Sequence, residues 1–306
     1  MNIIEKIEVE KTRQGLTIAQ KKALWAWLFL AIPVLFFVVV RFYPTFDAFY
    51  ISFTKWNLIG DKVFVGLDNY IRLFTDPVFW QVLSNTFEYL IIGMPISLLL
   101  SFVIAYNLDK IRFGHTFLRA CYFIPFLTTA VAMAWVWRWF YQAAPVGLFN
   151  NVLVDLGLPQ MKFLRSPDQA LPSVLAPAIW AGLGFQILIF MAGLRSVPSS
   201  YLEAAKIDGA GRWQVLKEIT IPHLWPTIVF LVVMSTIGFL RIFDQVYNMT
   251  VDGQGGPVNS SRPLVLHIYQ SAFADFEMGF AAAQTVVLFV ILLIITFIQF
   301  TLMRKK

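Results

Sequence analysis

Charge is scarce in this sequence. Asp, Glu, Lys and Arg together make up 14% of its 306 residues, where a soluble domain carries about a quarter. Hydrophobic residues reach 58% and mean hydropathy +0.68, which excludes an ordinary soluble domain. Cysteine is nearly absent. A lone Cys121 excludes an intrachain disulfide and any cysteine cluster for zinc or iron–sulfur, and reads as a small apolar filler in a helix. The three histidines, His115, His223 and His267, stand in separate regions without metal-ligand spacing, so no metal is assigned. No GxxxxGK[ST] loop is present to cradle a nucleotide phosphate. No nucleophile stands near a base either, so the chain is expected not to be an enzyme and no catalytic residue is assigned. The net charge of +6 comes without a nucleic-acid reading module.

What is abundant is the long apolar run. Six of them, at about 23–41, 82–106, 117–140, 172–194, 223–241 and 280–303, approach the roughly 20 residues that cross a bilayer. The expected fold class is therefore all-α, a polytopic membrane protein of six transmembrane helices. Residues 1–22 form a basic tail ahead of a 23–306 membrane domain. A cleavable signal peptide is not expected, because Arg41-Phe42-Tyr43-Pro44 offers no small-residue cleavage site. Segments 1–22, 107–119, 195–221 and 304–306 hold 15 Lys/Arg in 65 residues, whereas 42–81, 141–171 and 242–279 hold 6 in 109. Basic residues accumulate on the cytoplasmic side, so both termini and the 199–222 loop are expected there. Pro33, Pro95, Pro125 and Pro177 fall inside spans, each removing a helix hydrogen bond.

Polar residues at membrane depth are costly unless they face protein or water. Asn85, Glu88, Gln186, Ser235, Asp244, Gln245 and Gln284 are the candidates for a solute pathway, with Trp180, Phe239 and Tyr247 as aromatic faces. Phe185 and Phe243 could add further faces. Arg241 and Asp244, three apart, could pair with each other. Amides and carboxylates beside aromatic rings suit a sugar. An anion would favour several convergent basic residues, and a polyamine several carboxylates.

Between the fourth and fifth runs lies a polar island, Ser199–Pro222. Ser200-Tyr201-Leu202-Glu203 fits a capping box. Asp208-Gly209-Ala210-Gly211 then reads as a helix stop. A second turn carries apolar Trp213, Leu216 and Ile219, and Pro222 is expected to end it.

Glu203-Ala204-Ala205, three residues, Gly209, nine residues and Ile219-Thr220-Ile221-Pro222 resemble the EAA loop of bacterial ABC importer permeases of the binding-protein-dependent, type I family. Ile221 stands where that family usually has leucine. Phe64–Tyr70 (FVGLDNY), Gly255-Gly256-Pro257, Tyr269–Phe273 and Gly279–Ala283 resemble its carbohydrate-uptake branch, the maltose and glycerol-phosphate type. The resemblance implies the type I permease fold and makes 199–222 a coupling helix. Glu203, Ala204, Ala205, Asp208, Gly209, Ala210, Gly211 and Pro222 would then contact or shape the contact with an ATPase. It implies as partners a second homologous permease, two ATPase subunits that bind ATP and Mg, and an extracytoplasmic solute-binding protein offered the last outer loop. The chain itself would bind no cofactor. Its substrate would be a carbohydrate, an oligosaccharide in this branch, and its place a bacterial or archaeal cytoplasmic membrane, multi-pass in the lipid bilayer. Two alternatives stay open: a non-sugar solute such as glycerol phosphate, and a self-contained secondary transporter, which needs an internal repeat and ion-binding broken helices.

Overall fold

The computed structural model describes residues 17–111 and 114–303, without the His115 side chain. Most of the basic tail, Arg112 and the terminal Arg304-Lys305-Lys306 lie outside the described residues. The chain divides into two compact units, Met1–Ile51 and Ser52–Lys306.

In the first unit the described residues form one helix, Ile18–Ile51. Thr17 caps it: the Gln20 amide donates to Thr17 Oγ1 at 3.2 Å, and the Thr17 amide donates to Gln20 Oε1 at 2.9 Å. Expecting a loop from residue 42 made this helix too short. A π turn at Val38–Phe42, in which the Tyr43 amide reaches Val38 carbonyl, widens the helix just ahead of Pro44. The proline ring is thereby accommodated instead of breaking the helix.

The second unit is helical apart from one two-stranded hairpin among the described residues, Thr54–Lys55 against Val63–Phe64. Among the described residues four helices are long and apolar enough to cross a membrane, and counting each of two bent pairs as one span brings the number to six. The second span, Pro77–Leu108, starts earlier than expected because Asp76 accepts from the Val78 amide at 2.8 Å and Pro77 opens the first turn. The third is Thr116–Leu127 and Ala130–Phe140, bent by 100°. Pro125 lies shortly before that break, and Thr129 Oγ1 caps the second half by accepting from Ala132 at 3.3 Å. The fourth, Pro167–Arg195, is the hub. Its Leu175, Ile187 and Phe190 share a core with Tyr89, Leu231 and Leu240. Gly184 lets it approach the third span so closely that a Cβ there would lie 2.5 Å from Tyr122 carbonyl. The fifth is Arg212–His223 and Trp225–Leu240, bent by 66°, and the sixth is Met278–Met303.

Two sets of contacts define two faces of this unit. At one, Arg195 meets Asp109 at 3.2 Å, Ser196 meets His223 at 3.2 Å, and the Trp225 indole donates to Met303 carbonyl at 2.9 Å. The Ser199–Pro222 elbow belongs to this face. At the other, Asn69 donates to Ser52 and Thr54 carbonyls, both at 2.9 Å, and Gly279 leaves room for Thr54 carbonyl where any Cβ would collide. Arg72 closes the layer through a two-pronged pair with Glu277 at 2.8 and 2.9 Å. The 64–70 and 279–283 motifs therefore meet in one place. The stretch expected as a last loop also contains a helix, Leu264–Phe273, packed against the second and sixth spans.

Candidate functional site

A cavity of about 480 Å³ opens where the second to fifth spans meet. The 100° break in the third span sets Pro125, Phe126 and Thr128 along one wall. Gly182 and Gly238 line it from the fourth and fifth spans, and a Cβ on either would meet nothing within 4 Å. Gln186 is its most telling residue. Its amide nitrogen donates to Ser235 Oγ at 3.1 Å and to Ser97 Oγ at 3.3 Å, joining three spans. Its carbonyl oxygen is buried without a partner, a state that costs about 1–3 kcal/mol. Gln186 lines the cavity, so a rotation of its side chain would bring that buried oxygen within reach of a hydroxyl there. Phe126 and Phe185 stack at 5.6 Å and Phe239 and Phe243 stand on the fifth-span side, so apolar ring faces flank the Gln186 amide.

Of the sequence candidates, Gln186, Ser235, Phe239, Asp244 and Gln245 share this cavity. Arg241 and Asp244 line it as well, but do not pair. The helix ends at Leu240, and Arg241 takes φ −110°, so the two are no longer one helical turn apart. The other five stand elsewhere. Asn85 donates to Asn259 carbonyl at 2.7 Å and Arg262 carbonyl at 3.0 Å, tying the second span to a loop. Gln284 is buried and donates to Ser271 at 3.1 Å. Trp180 packs edge-on against Trp137 at 5.8 Å. Tyr247 stacks on Phe243 at 5.4 Å and faces a neighbouring pocket with Asp252, Arg262 and Tyr269. Glu88 is exposed on the second span. Sequence reasoning missed Ser97, Phe126, Thr128 and Gly238. The Thr128-Thr129 pair just after Pro125 was the available signal, since threonine caps a restarting helix.

At the opposite face the elbow begins as a helix, Ser199–Ile207. The expected capping box is not formed. Pro198 is the cap and carries no hydroxyl, which places Ser200 already inside the first turn. The stop is a complete Schellman motif: Gly209 takes φ +75°, its amide donates to Lys206 carbonyl at 3.2 Å, and Ala210 donates to Ala205 carbonyl at 2.9 Å. Ala205 is buried and Ala210 half-buried, while Glu203, Ala204, Asp208, Gly209, Gly211 and Pro222 are exposed. The Gly211 amide donates to Gln214 Oε1 at 2.8 Å and starts the next helix. Pro222 does not end that helix. A π turn at Leu216–Thr220, with the Ile221 amide reaching Leu216 carbonyl, carries it past the proline to His223. Ile207 is 87% exposed and Trp213 72%, so two large apolar side chains stand on the elbow with little of this chain against them.

The family described as "Binding-protein-dependent transport system inner membrane component" matches residues 23–306. The lactose transport system permease protein LacF of Rhizobium radiobacter is 33% identical over 286 residues, 92% of this chain and 94% of that one. The arabinooligosaccharides transport system permease protein AraP of Bacillus subtilis is 34% identical over 280 residues, 90% and 87% of the two chains. A chain in the crystal structure of a bacterial ABC transporter involved in import of the acidic polysaccharide alginate superposes with a TM-score of 0.82. It is 21% identical over 93% of this chain and 96% of its own, and shares the fold.

Proposed function

We propose that this chain, which belongs to the family of binding-protein-dependent transport system inner membrane components, is one permease subunit of an ATP-driven ABC importer and forms half of a carbohydrate pathway. The observation that carries the carbohydrate reading is the uncharged Gln186 amide lining an aromatic-flanked cavity, with its carbonyl oxygen buried and unpartnered. It offers an acceptor to a hydroxyl and no net charge to an ion. Arg241 and Asp244 contribute opposite signs to the lining, so a phosphate or a polyamine finds no convergent field there. Relatives named for lactose and arabinooligosaccharides support the same class.

The proposed partners are a second, similar permease, two ATPase subunits and a solute-binding protein, assembled in a cytoplasmic membrane with the elbow on the cytoplasmic side. ATP and Mg belong to the ATPase subunits, whose closure supplies the force. What this chain contributes is a lever. The elbow's Schellman turn presents Ile207 and Glu203, and the same segment continues through Arg212–His223 into Trp225–Leu240. Leu224, at the 66° joint, is seated against Gly193 of the fourth span, where a Cβ would lie 2.6 Å from its Cδ2. Ser235, Gly238 and Phe239 lie on the far arm of that joint and line the cavity. A rotation of the elbow therefore moves one cavity wall against another.

The test is solute-stimulated ATP hydrolysis by the complex reconstituted with its binding protein, screening lactose, arabinooligosaccharides and glycerol phosphate. Gly209→Asp should abolish stimulation while membrane insertion stays normal. Gly209→Asn, which tolerates the left-handed turn better, should retain part of it. Stimulation undiminished in Gly209→Asp would remove the elbow from the coupling path. Solute uptake by the chain without any ATPase subunit would replace the importer reading with a secondary transporter.

A further inference from the structure

A second cavity, about 480 Å³, opens on the face away from the elbow and shares no lining residue with the Gln186 cavity. Three cations from two segments line it. Arg138 comes from the last turn of the third span, and Lys162 and Arg165 from the connection into the fourth. No carboxylate lines it, and among the described residues none of the three cations makes an ion pair. Gln142 and Gln160 add amides beside them. The walls are held before any ligand arrives. Buried Asn150 donates to Gln142 carbonyl at 2.9 Å and Met161 carbonyl at 3.1 Å, and accepts from the Met161 amide at 2.8 Å. Phe163 stacks on Tyr141 at 4.5 Å. Three like charges held together repel one another, and an anion between them relieves that cost.

What surrounds the cavity names the anion's source. Trp135 and Trp139, on the same helix as Arg138, are 58% and 50% exposed, as tryptophans at a membrane–water boundary are. The segment between Arg138 and Lys162 exposes Leu148, Val152, Leu156 and Leu158. It also contains the short helix Leu148–Asp155. An apolar apron beside a cationic pocket matches the two halves of a phospholipid, acyl chain and phosphate, and matches a water-soluble phosphate in only one.

We propose that this pocket binds the head group of an anionic phospholipid in the leaflet opposite the elbow, with Arg138, Lys162 and Arg165 on its phosphate and the 148–158 segment against its chains. Membrane insertion of the chain is the sole premise, so the site stands or falls apart from the identity of the imported solute.

The experiment is native mass spectrometry of the full chain in detergent, titrated with palmitoyl-oleoyl phosphatidylglycerol or the matching phosphatidylcholine. Wild type should retain one phosphatidylglycerol in preference to phosphatidylcholine. A basic residue near a lipid surface is worth about 1 kcal/mol, so each charge removed should weaken retention about fivefold. Arg138→Gln/Lys162→Gln/Arg165→Gln should cancel the preference. Lys162→Gln alone, an exposed change that leaves the fold untouched, should give the single fivefold step, and Lys62→Gln, elsewhere on the chain, none. Equal retention of the two lipids by wild type, or a preference surviving the triple change, would overturn the proposal. Glycerol 3-phosphate displacing the lipid at equal concentration would also overturn it, because the apron would then contribute nothing.

Discussion

Gln186 separates a solute-binding role from a purely structural one, because its two ends do different things. Gln186→Met keeps the length and removes both the amide nitrogen and the carbonyl oxygen. The nitrogen's two hydrogen bonds, at 3.1 and 3.3 Å, contribute about 0.5–1.5 kcal/mol each. Ser97 is not stranded by their loss, since its hydroxyl still donates to Met94 carbonyl at 3.0 Å, and Ser235 faces the cavity, where water reaches it. The unpartnered oxygen costs the folded chain about 1–3 kcal/mol, and its removal offsets most of that loss. Stability should therefore stay within about 1.5 kcal/mol of wild type, a shift of a few degrees in Tm. The solute fares differently. Losing one hydrogen bond from a hydroxyl costs about 1 kcal/mol, or five- to tenfold in affinity. In uptake by vesicles holding the full complex, the half-saturating solute concentration should rise about that much, with Tm nearly unchanged. A large drop in Tm with unchanged half-saturation would refute the reasoning and leave Gln186 a tie between spans.

Gly238→Leu fills open space with a better helix former, so the chain should fold at least as stably as wild type, by about 1 kcal/mol, while uptake falls because the cavity is plugged; normal uptake would place the pathway elsewhere. Ile207→Ser removes a side chain 87% exposed, so stability should change by less than about 0.5 kcal/mol while stimulated ATP hydrolysis falls; full stimulation would mean that nothing docks there. His267, outside the spans, is buried with neither ring nitrogen partnered. Burial, then the nearby Arg262 and Arg72 charges, push its pKa down from 6.5 to about 4, against a smaller upward pull from Asp76. The unfolded chain therefore takes up its proton first, so the neutral ring's contribution is complete above about pH 6.5 and is lost as pH falls toward 4. The loss is at most about 3 kcal/mol. On acidification through that window wild type should lose up to that much stability relative to His267→Leu, and thermal melts that run parallel would dismiss the histidine.

The count and rough position of the spans were legible because long apolar runs have no other use at this density. Their ends were not. The apolar run suggests an end near residue 41 and Pro222 reads as a stop, yet a π turn ending two residues ahead of Pro44 and of Pro222 lets the helix continue. Nothing in Val38–Phe42 or Leu216–Thr220 advertises that turn. Gly209 was legible as a stop because a left-handed backbone at φ +75° strongly favours glycine. The capping box failed by two residues of register, since the cap is Pro198 and not Ser200. Polarity at depth found Gln186 and Ser235 in the cavity, but found Asn85 and Gln284 by the same sign. Asn85 serves carbonyls at 259 and 262, and that partnership is invisible until the chain is folded. A buried polar residue announces that it needs a partner, not whether the partner is backbone or solute.

That ambiguity also shows where the two kinds differ once the structure is known. Asn85 has spent its amide nitrogen on two carbonyls, and its oxygen is not among the buried atoms left without a partner. Gln186 has spent its nitrogen and kept its oxygen unpartnered at a cavity wall. The elbow repeats the logic in apolar terms. Ala205 is buried against its own chain, whereas Ile207, two residues on, is left almost bare. Each of these leaves an unmet demand in the isolated chain: Gln186 an unpartnered oxygen, Ile207 apolar surface held in water. A solute hydroxyl relieves the first and a docked protein surface the second. Ile207 stands on the elbow ahead of the Leu224 joint, and Gln186, on the fourth span, is tied through its nitrogen to Ser235 on the far arm of that joint. If a solute and an ATPase subunit bind as proposed, occupancy of the cavity and docking at the elbow should depend on each other through that shared element.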